Sequence, residues 1–251
     1  MWSLFSMEIA ASCAVVFFAG IVRGWSGFAF AIVSGAGLTL LLPAHVFVPV
    51  VLAIELVLGL SLVPREMKNC SWPTISPMVV SAGMGTFIGI VLLQGLPEVP
   101  SKTLLGLAIA ASALAMLGAP RLVLGPARWM PLTAGTISGL MNGAFAMGGP
   151  PAVLFLSARL PEASRLRGSI ILYFFLIDIV ALLYLGFSGG INLHVLSLAA
   201  LLLPTSLLGV KLGERIYEFI DPERFRPTLL IGLLIIGLVF LVTGGARWIS
   251  G

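Results

Sequence analysis

The sequence has very little charge for its length. Only 10% of its 251 residues are Asp, Glu, Lys or Arg, and its mean hydropathy is +1.12. A soluble domain carries about 25% charged residues, so most of the surface of this chain must face something other than water. The net charge of +4 comes from basic residues scattered singly through short loops, which excludes a nucleic-acid-binding patch. We therefore expect a polytopic membrane protein.

Histidine and cysteine are equally scarce, with two of each in the chain. Cys13 falls in an apolar run and Cys70 in a loop, a spacing that suits neither a metal site nor a disulfide framework. The sequence therefore predicts two unpaired thiols, no metal centre and no cofactor.

Hydrophobic runs bounded by Pro, Gly or charge dominate what is present. A full crossing of the bilayer needs about 20 residues. Six runs are long enough: 46–63, 74–95, 101–118, 168–188, 193–210 and 227–245. The pair 7–22 and 26–42 is ambiguous, and the pair 131–142 and 147–158 is too short. We interpret each pair as a helical hairpin or broken helix whose tip lies near the middle of the membrane.

Loop charge predicts the orientation. Under this topology most of the basic loop residues fall on one side: Arg65, Lys68, Arg121, Arg128, Arg159, Arg165, Arg167, Lys211, Arg215, Arg224 and Arg226. Only Lys102 and Arg247 fall on the other side. The positive-inside rule makes the first side cytoplasmic, so both termini are predicted to lie outside the cytoplasmic membrane.

The two halves of the chain resemble each other. Gly20 and Gly24 match Gly139 and Gly143, and the Gly-x-x-x-Gly motif of 85–89 matches that of 209–213. Each half holds one broken hairpin and three further crossings, and an odd number of crossings inverts the second half relative to the first. We predict an all-α membrane protein of two inverted repeats, 1–122 and 123–251, which is the plan of many secondary transporters.

The breaks in the two halves predict a binding site. The first stretch reads GIVRGWSGFAF (20–30), and the second reads GLMNGAFAMGGPP (139–151). Helix N-termini bind anions through their backbone N–H groups, so two tips that meet at mid-membrane would hold an anion from both sides. The alternative is that these small residues only pack helices closely. The candidate substrate-binding residues are Arg23, Gly24, Ser26, Gly27, Asn142, Gly143, Gly148, Gly149 and Pro150, with Pro150 expected to shape the turn.

Arg23 is the most informative single residue. An arginine at the bilayer centre costs from about 2.5 to well over 10 kcal/mol, so it must face a partner or a water-filled cavity. Its planar guanidinium, with five N–H donors, suits the oxygens of a small oxyanion. The alternative is an interfacial arginine that reaches to water along the membrane surface.

Four more residues are candidates for coupling or gating. Glu55 and Asp178 are acids inside apolar spans, and they could either carry protons or form structural ion pairs with Arg23 or Arg167. Arg167 opens the run at 168–188 at the predicted cytoplasmic edge, where it could attract anions. The Tyr173 hydroxyl could point into a cavity, although packing would equally explain this residue.

These motifs together resemble the TauE/SafE-type sulfite and organosulfonate exporters over nearly the whole chain. The stretches that carry the resemblance are VRGWSGFAFA (22–31), 139–151, LRGSIILYFF (166–175) and LGVKLG (208–213). Relatives usually have glycine at the position of Ala29 and often an amide at that of Asp178. The resemblance implies export of a small sulfur oxyanion or sulfonate across the cytoplasmic membrane.

Two other functions remain open from the residues alone. A carrier of another small anion, such as a carboxylate, would need the same features. Gly24-Trp25-Ser26-Gly27 also matches the Gly-x-Ser-Gly of rhomboid-type intramembrane proteases. Such a protease needs a histidine beside its serine, and both His45 and His194 are predicted at the outer surface. We expect a transporter rather than an enzyme. Its partners would be the lipid bilayer and a small anion; the oligomeric state is open, a homodimer being one option.

Overall fold

The structure is a computed structural model that describes residues 2–95, 104, 107 and 129–217. Within those residues it is entirely helical. The first four helices are α1 (Trp2–Ser26), α2 (Phe30–Leu38), α3 (Ala44–Glu66) and α4 (Trp72–Gly95), with a 3-10 turn at Met67–Asn69. The next four are α5 (Met130–Phe145), α6 (Gly149–Arg159), α7 (Ala163–Phe187) and α8 (Leu193–Tyr217).

Five stretches are long and apolar enough to cross a membrane: Met7–Trp25, Ala44–Asn69, Trp72–Gly95, Ser164–Phe187 and Leu193–Ile216. Four of the six long runs expected from the sequence are among them. The other two, 101–118 and 227–245, the repeat boundary at 122/123 and both Arg224 and Arg226 lie outside the described residues.

The first broken pair differs from the prediction. Its first member is a helix of full crossing length, α1, and only α2, with 9 residues, is short. Gly20 and Gly24 do not break this helix, because an unbroken α-helix continues through both of them to Ser26. The second pair has the expected form of two short helices, α5 with 16 residues and α6 with 11.

Glycines explain where the helices pack most closely. A methyl group on Gly20 or Gly24 of α1 would collide with the backbone of α8, at Ser206 and Val210 respectively. On α8, Gly209 and Gly213 face the backbone of α1 in return. Small residues of this kind let two membrane helices approach until their backbones touch.

The same arrangement recurs between α4 and α5. Gly85 and Gly89 of α4 lie against the backbone of α5, and Gly139 and Gly143 of α5 lie against that of α4. The first helix of each half thus packs on the fourth helix of the other half. Helices α3 and α7 pack on each other between these two pairs, and both carry one of the acids singled out above.

Candidate functional site

Helix α1 ends where a glycine takes a backbone conformation that other residues rarely adopt. Gly27 has φ +86°, and its N–H donates a hydrogen bond to the carbonyl oxygen of Arg23 at 2.6 Å. Glycine is the usual residue at this position because it has no Cβ to clash. The chain then turns and enters α2 at Phe30. This break places Arg23 in the last turn of α1.

Helix α5 ends in the same way but on an alanine. Ala146 has φ +58°, and its N–H donates to the carbonyl oxygen of Asn142 at 2.7 Å. The residue numbers of Arg23 and Asn142 differ by 119, as do those of Gly27 and Ala146. Pro150 lies in the first turn of α6, where a proline loses no helical hydrogen bond. Its expected shaping role matches this position.

The two breaks touch each other. A methyl group on Gly149 would lie 3.4 Å from the ring of Phe28, which belongs to the first break. The Met147 side chain of the second break in turn packs on Gly35 of α2. The sequence-based expectation that the two tips meet therefore agrees with these contacts.

Arg23 forms a buried ion pair with Glu55. The Nη1 of Arg23 lies 2.6 Å from the Oε1 of Glu55, and the two side chains are 1% and 3% exposed. Glu55 is at the midpoint of α3, and the backbone N–H of Ala31, in the first turn of α2, also interacts with its carboxylate. The alternative of an arginine that reaches surface water is therefore wrong, as is a pairing of Glu55 with Arg167.

The rest of the Arg23 guanidinium is unused. Its Nε and Nη2 are buried and have no hydrogen-bond partner among the described residues. These two nitrogens form one edge of the planar guanidinium, the edge that binds two oxygens of a carboxylate or a similar anion side by side. Leaving buried donors unpaired costs about 1–3 kcal/mol each, or more when they are charged. An anion with two free oxygens would satisfy both.

Asn142 and Asp178 form a second buried pair. The Nδ2 of Asn142 donates to the Oδ1 of Asp178 at 3.2 Å, and both side chains are fully buried. The Oδ1 of Asn142 and the Oδ2 of Asp178 have no partner in the described part of the chain. Asp178 also interacts electrostatically with both Arg23 and Glu55, so the two pairs belong to one polar centre.

Tyr173 and Ser138 extend this centre toward the second break. Tyr173 is fully buried, and its hydroxyl interacts with Ser138 and with Asp178. Ser138 donates a hydrogen bond to the carbonyl oxygen of Gly148 at 2.6 Å, which fixes the turn before α6. Sequence reasoning missed Ser138. Its place one residue before Gly139, on the helix that carries Asn142, was the available signal.

Arg167 lies apart from that centre. Its Nε is 3.6 Å from a carboxylate oxygen of Glu66, and both side chains are about one-fifth exposed. A methyl group on Gly27 would be 3.7 Å from the Cγ of Arg167. Arg167 therefore joins the start of α7 to the end of α3 beside the first break, and it contacts neither Glu55 nor Asp178 through a salt bridge.

Several of the predicted binding residues are not at helix starts. Gly24 and Asn142 lie in the last turns of α1 and α5, and Gly143 packs on the backbone of α4 at Thr86. The prediction that these residues offer free N–H groups is wrong, because a helix interior uses its own N–H groups. Gly148 and Gly149 do open α6. The side chain of Ser26 lies outside the described part of the chain.

The class of protein follows from these features. Membrane-length helices enclose a buried ion pair beside two touching helix breaks, an arrangement typical of membrane transporters. His45 and His194 are exposed in the first turns of α3 and α8, so neither is placed for a buried serine protease.

Comparison with known proteins gives the family. The model of the family described as "Sulfite exporter TauE/SafE" matches residues 12–240. The chain therefore belongs to this family, whose members are membrane transporters and not enzymes. The protease alternative is thereby removed.

Two named relatives share modest identity. The "Probable sulfite/organosulfonate exporter TauE" of Cupriavidus necator is 23% identical over 228 residues, which cover 87% of this chain and 86% of that protein. The "Probable inner membrane transporter protein TsaS" of Comamonas testosteroni is 26% identical over 178 residues, covering 69% and 73% respectively. No solved structure gives a significant match.

Proposed function

We propose that this chain is a secondary transporter that exports a small sulfur-containing anion, sulfite or an organosulfonate, across the inner membrane. The observation that carries the proposal is the buried edge of Arg23, whose Nε and Nη2 have no partner among the described residues. Two relatives are named as a sulfite/organosulfonate exporter and an inner membrane transporter, which supports the substrate class and the location.

The shape of the substrate group follows from the shape of that edge. Sulfite and sulfonates present three oxygens on one sulfur, and two of them can face Nε and Nη2 together, as a carboxylate does. Glu55 stays on Nη1 in this pose, so the anion does not need to displace it. A small carboxylate or another inorganic oxyanion would fit the same edge, and it is the second candidate substrate.

The two helix starts contribute unequally to this site. The Ala31 N–H at the start of α2 already faces Glu55. The first turn of α6 contains Pro150 and Pro151, which have no N–H. The backbone donors left for the anion are therefore those around Gly148 and Gly149, and Arg23 supplies the charge.

Alternating access is the mode of transport that suits this burial. Arg23 is 1% exposed, so an anion from either side reaches it only after the helices move. An inverted-repeat plan is supported by the reciprocal packing of α1 on α8 and of α5 on α4, and by the matching breaks at Gly27 and Ala146. Rocking of one repeat against the other would open the site to each side in turn.

Flux through proteoliposomes tests the proposal. Purified protein should give saturable flux of radiolabelled sulfite or taurine, and Arg23→Ala should reduce it by about 100-fold or more, because it removes the one charged donor that the described residues place at the site. Arg215→Ala, an exposed arginine at the end of α8, is the matched control and should leave flux unchanged. Normal flux in Arg23→Ala would contradict the proposed site. Flux of carboxylates but of no sulfur anion would replace the proposed substrate with the second candidate.

A further inference from the structure

The buried centre contains one more acid than base. Among the described residues, Arg23 is its one cation, and Glu55 and Asp178 are its two carboxyl groups; all three side chains are at most 3% exposed. If both acids were ionised, the centre would hold a net negative charge without compensation, which costs several kcal/mol in a low-dielectric interior. A bound anion would add a second negative charge. Both excess charges are avoided if the centre holds protons and if their number changes when an anion binds.

Other charged groups do not alter this count within the described helices. Helices α2, α4 and α5 carry no ionisable side chain, and the one ionisable residue of α6, Arg159, is its last residue. The ionisable residues of α8, His194, Lys211, Glu214, Arg215 and Tyr217, lie near its two ends, and those of α3 other than Glu55 are His45, Arg65 and Glu66 at its ends. On α7, Tyr173 and Asp178 face the centre, while Arg167 is paired with Glu66. On α1, only Arg23 faces Glu55.

The contacts of the two acids are different. Glu55 has the contacts of a carboxylate, because it accepts from Arg23 and interacts with the Ala31 N–H. Asp178 accepts one long hydrogen bond from Asn142, and its Oδ2 has no partner in the described ranges. A buried carboxylate with a single long hydrogen bond is costly, and this favours the neutral acid at Asp178. With Asp178 neutral at rest, this acid cannot take up a further proton.

We infer that anion binding at Arg23 is linked to protonation of Glu55. This inference rests on the proposed function and names the group that couples transport to protons. An anion on Nε and Nη2 partly neutralises the positive charge of Arg23 that stabilises ionised Glu55. It also places a second negative charge on the same guanidinium. Glu55 then takes one proton from the solvent on the side to which the site is open. The centre passes from Arg23⁺ with Glu55⁻ to Arg23⁺ with the bound anion and a neutral Glu55.

Calorimetry on the purified full-length protein tests this assignment. The probe is methanesulfonate, whose own charge is constant across the neutral range, so that any pH dependence belongs to the protein. Titrations in two buffers of different ionisation enthalpy give the number of protons taken up per anion bound. For the wild type we expect about one proton per anion and an affinity that falls by up to about tenfold per pH unit on the alkaline side.

Two neutral isosteres separate the two acids. Glu55→Gln should bind with no proton uptake and with an affinity independent of pH. Asp178→Asn should retain the proton uptake of the wild type, because it replaces a neutral acid with a neutral amide. Glu162→Gln, an exposed acid at the start of α7, is the matched control and should behave as wild type. If Glu55→Gln fails to fold, the wild type and Asp178→Asn still decide the question.

The outcomes that overturn the inference differ from those that overturn the proposed function. Wild-type binding without proton uptake would refute the linkage and leave the transporter intact. Uptake that disappears in Asp178→Asn, or that persists in Glu55→Gln, would refute the assignment to Glu55. No saturable binding of methanesulfonate, sulfite or taurine by the folded wild type would refute the proposed function itself, and the linkage with it.

Discussion

The two helix breaks have the same backbone conformation but differ in the charge of the side chains beside them. Gly27 and Ala146 both have positive φ, and their N–H groups donate to the backbone carbonyl oxygens of Arg23 and Asn142, which occupy equivalent places four residues earlier. Each of these two side chains then binds an acid on the central helix of its half, Glu55 or Asp178. One half therefore presents a guanidinium with a free edge, and the other presents a neutral amide.

For the site proposed above, this difference favours one bound anion and not two. Two equivalent cations at the centre would repel each other and would bind two anions, whereas one arginine fixes a single point of attachment. The pair of Asn142 and Asp178 completes the surroundings of that point, since Asp178 interacts with both Arg23 and Glu55. In this view the similar backbone conformation of the two breaks positions the site. The difference between Arg23 and Asn142 gives the site a single positive charge.

After Arg23→Ala, the largest effect should come from a change that keeps the charge of the first half but removes its free edge. Arg23→Lys retains a positive group but loses the pair of donors at Nε and Nη2. We expect sulfonate affinity to fall about 10- to 100-fold, the value of one to two charge-assisted hydrogen bonds. Asn142→Ala in the other half removes a neutral donor whose hydrogen bond goes to Asp178, and it should cost only about two- to tenfold.

Equilibrium binding to purified protein measures both variants, with Arg215→Lys as the control for a lysine at a surface position. A loss in Asn142→Ala as large as that in Arg23→Lys would mean that the two halves contribute equally to binding. The asymmetry argued above would then be wrong.

Sequence reasoning found the members of both pairs but not how they pair. An arginine and two acids inside apolar runs are conspicuous, because each is costly in lipid. Which acid meets Arg23 depends on how α1 and α3 pack, and no local pattern contains that information. The same limit applies to Gly24 and Gly143, since a glycine pair that breaks a helix and one that packs a helix look alike in sequence.

The second break was partly hidden for a related reason. The run from Gly148 to Pro151 predicts where α6 begins, and it does begin there. Ala146 gives no such signal, because alanine is not a residue that ordinarily adopts positive φ. Only its place, equivalent to that of Gly27, would have pointed to it.

An intermediate effect is expected from overpacking the two close helix crossings, α1 with α8 and α4 with α5, and it tests whether they are equivalent. Gly20→Ala would drive a methyl group into Ser206 of α8, and Gly139→Ala would drive one into Ala82 of α4. Overpacking of this kind costs about 1–3 kcal/mol, so both variants should lower the midpoint of thermal unfolding by similar amounts. Gly186→Ala, on α7 with no atom within 4 Å of the added methyl, is the control and should be neutral or slightly stabilising. If one crossing tolerates the methyl group as well as Gly186 does, the two helix pairs are not equivalent.

The smallest effect should come from exchanging glycine and alanine at the two positions with positive φ, Gly27 and Ala146. Gly27→Ala has room for its methyl group, since the nearest atom is the Cγ of Arg167 at 3.7 Å. Its cost is therefore backbone strain alone, about 1–2 kcal/mol of unfolding free energy. Ala146→Gly relieves the same strain but gives the unfolded chain more freedom, so the gain should be smaller, about 0–1 kcal/mol. Thermal unfolding of both variants gives the sign of each change. A stabilising Gly27→Ala would mean that Gly27 does not need its positive φ. The two breaks would then not have the same backbone conformation beside the proposed anion site.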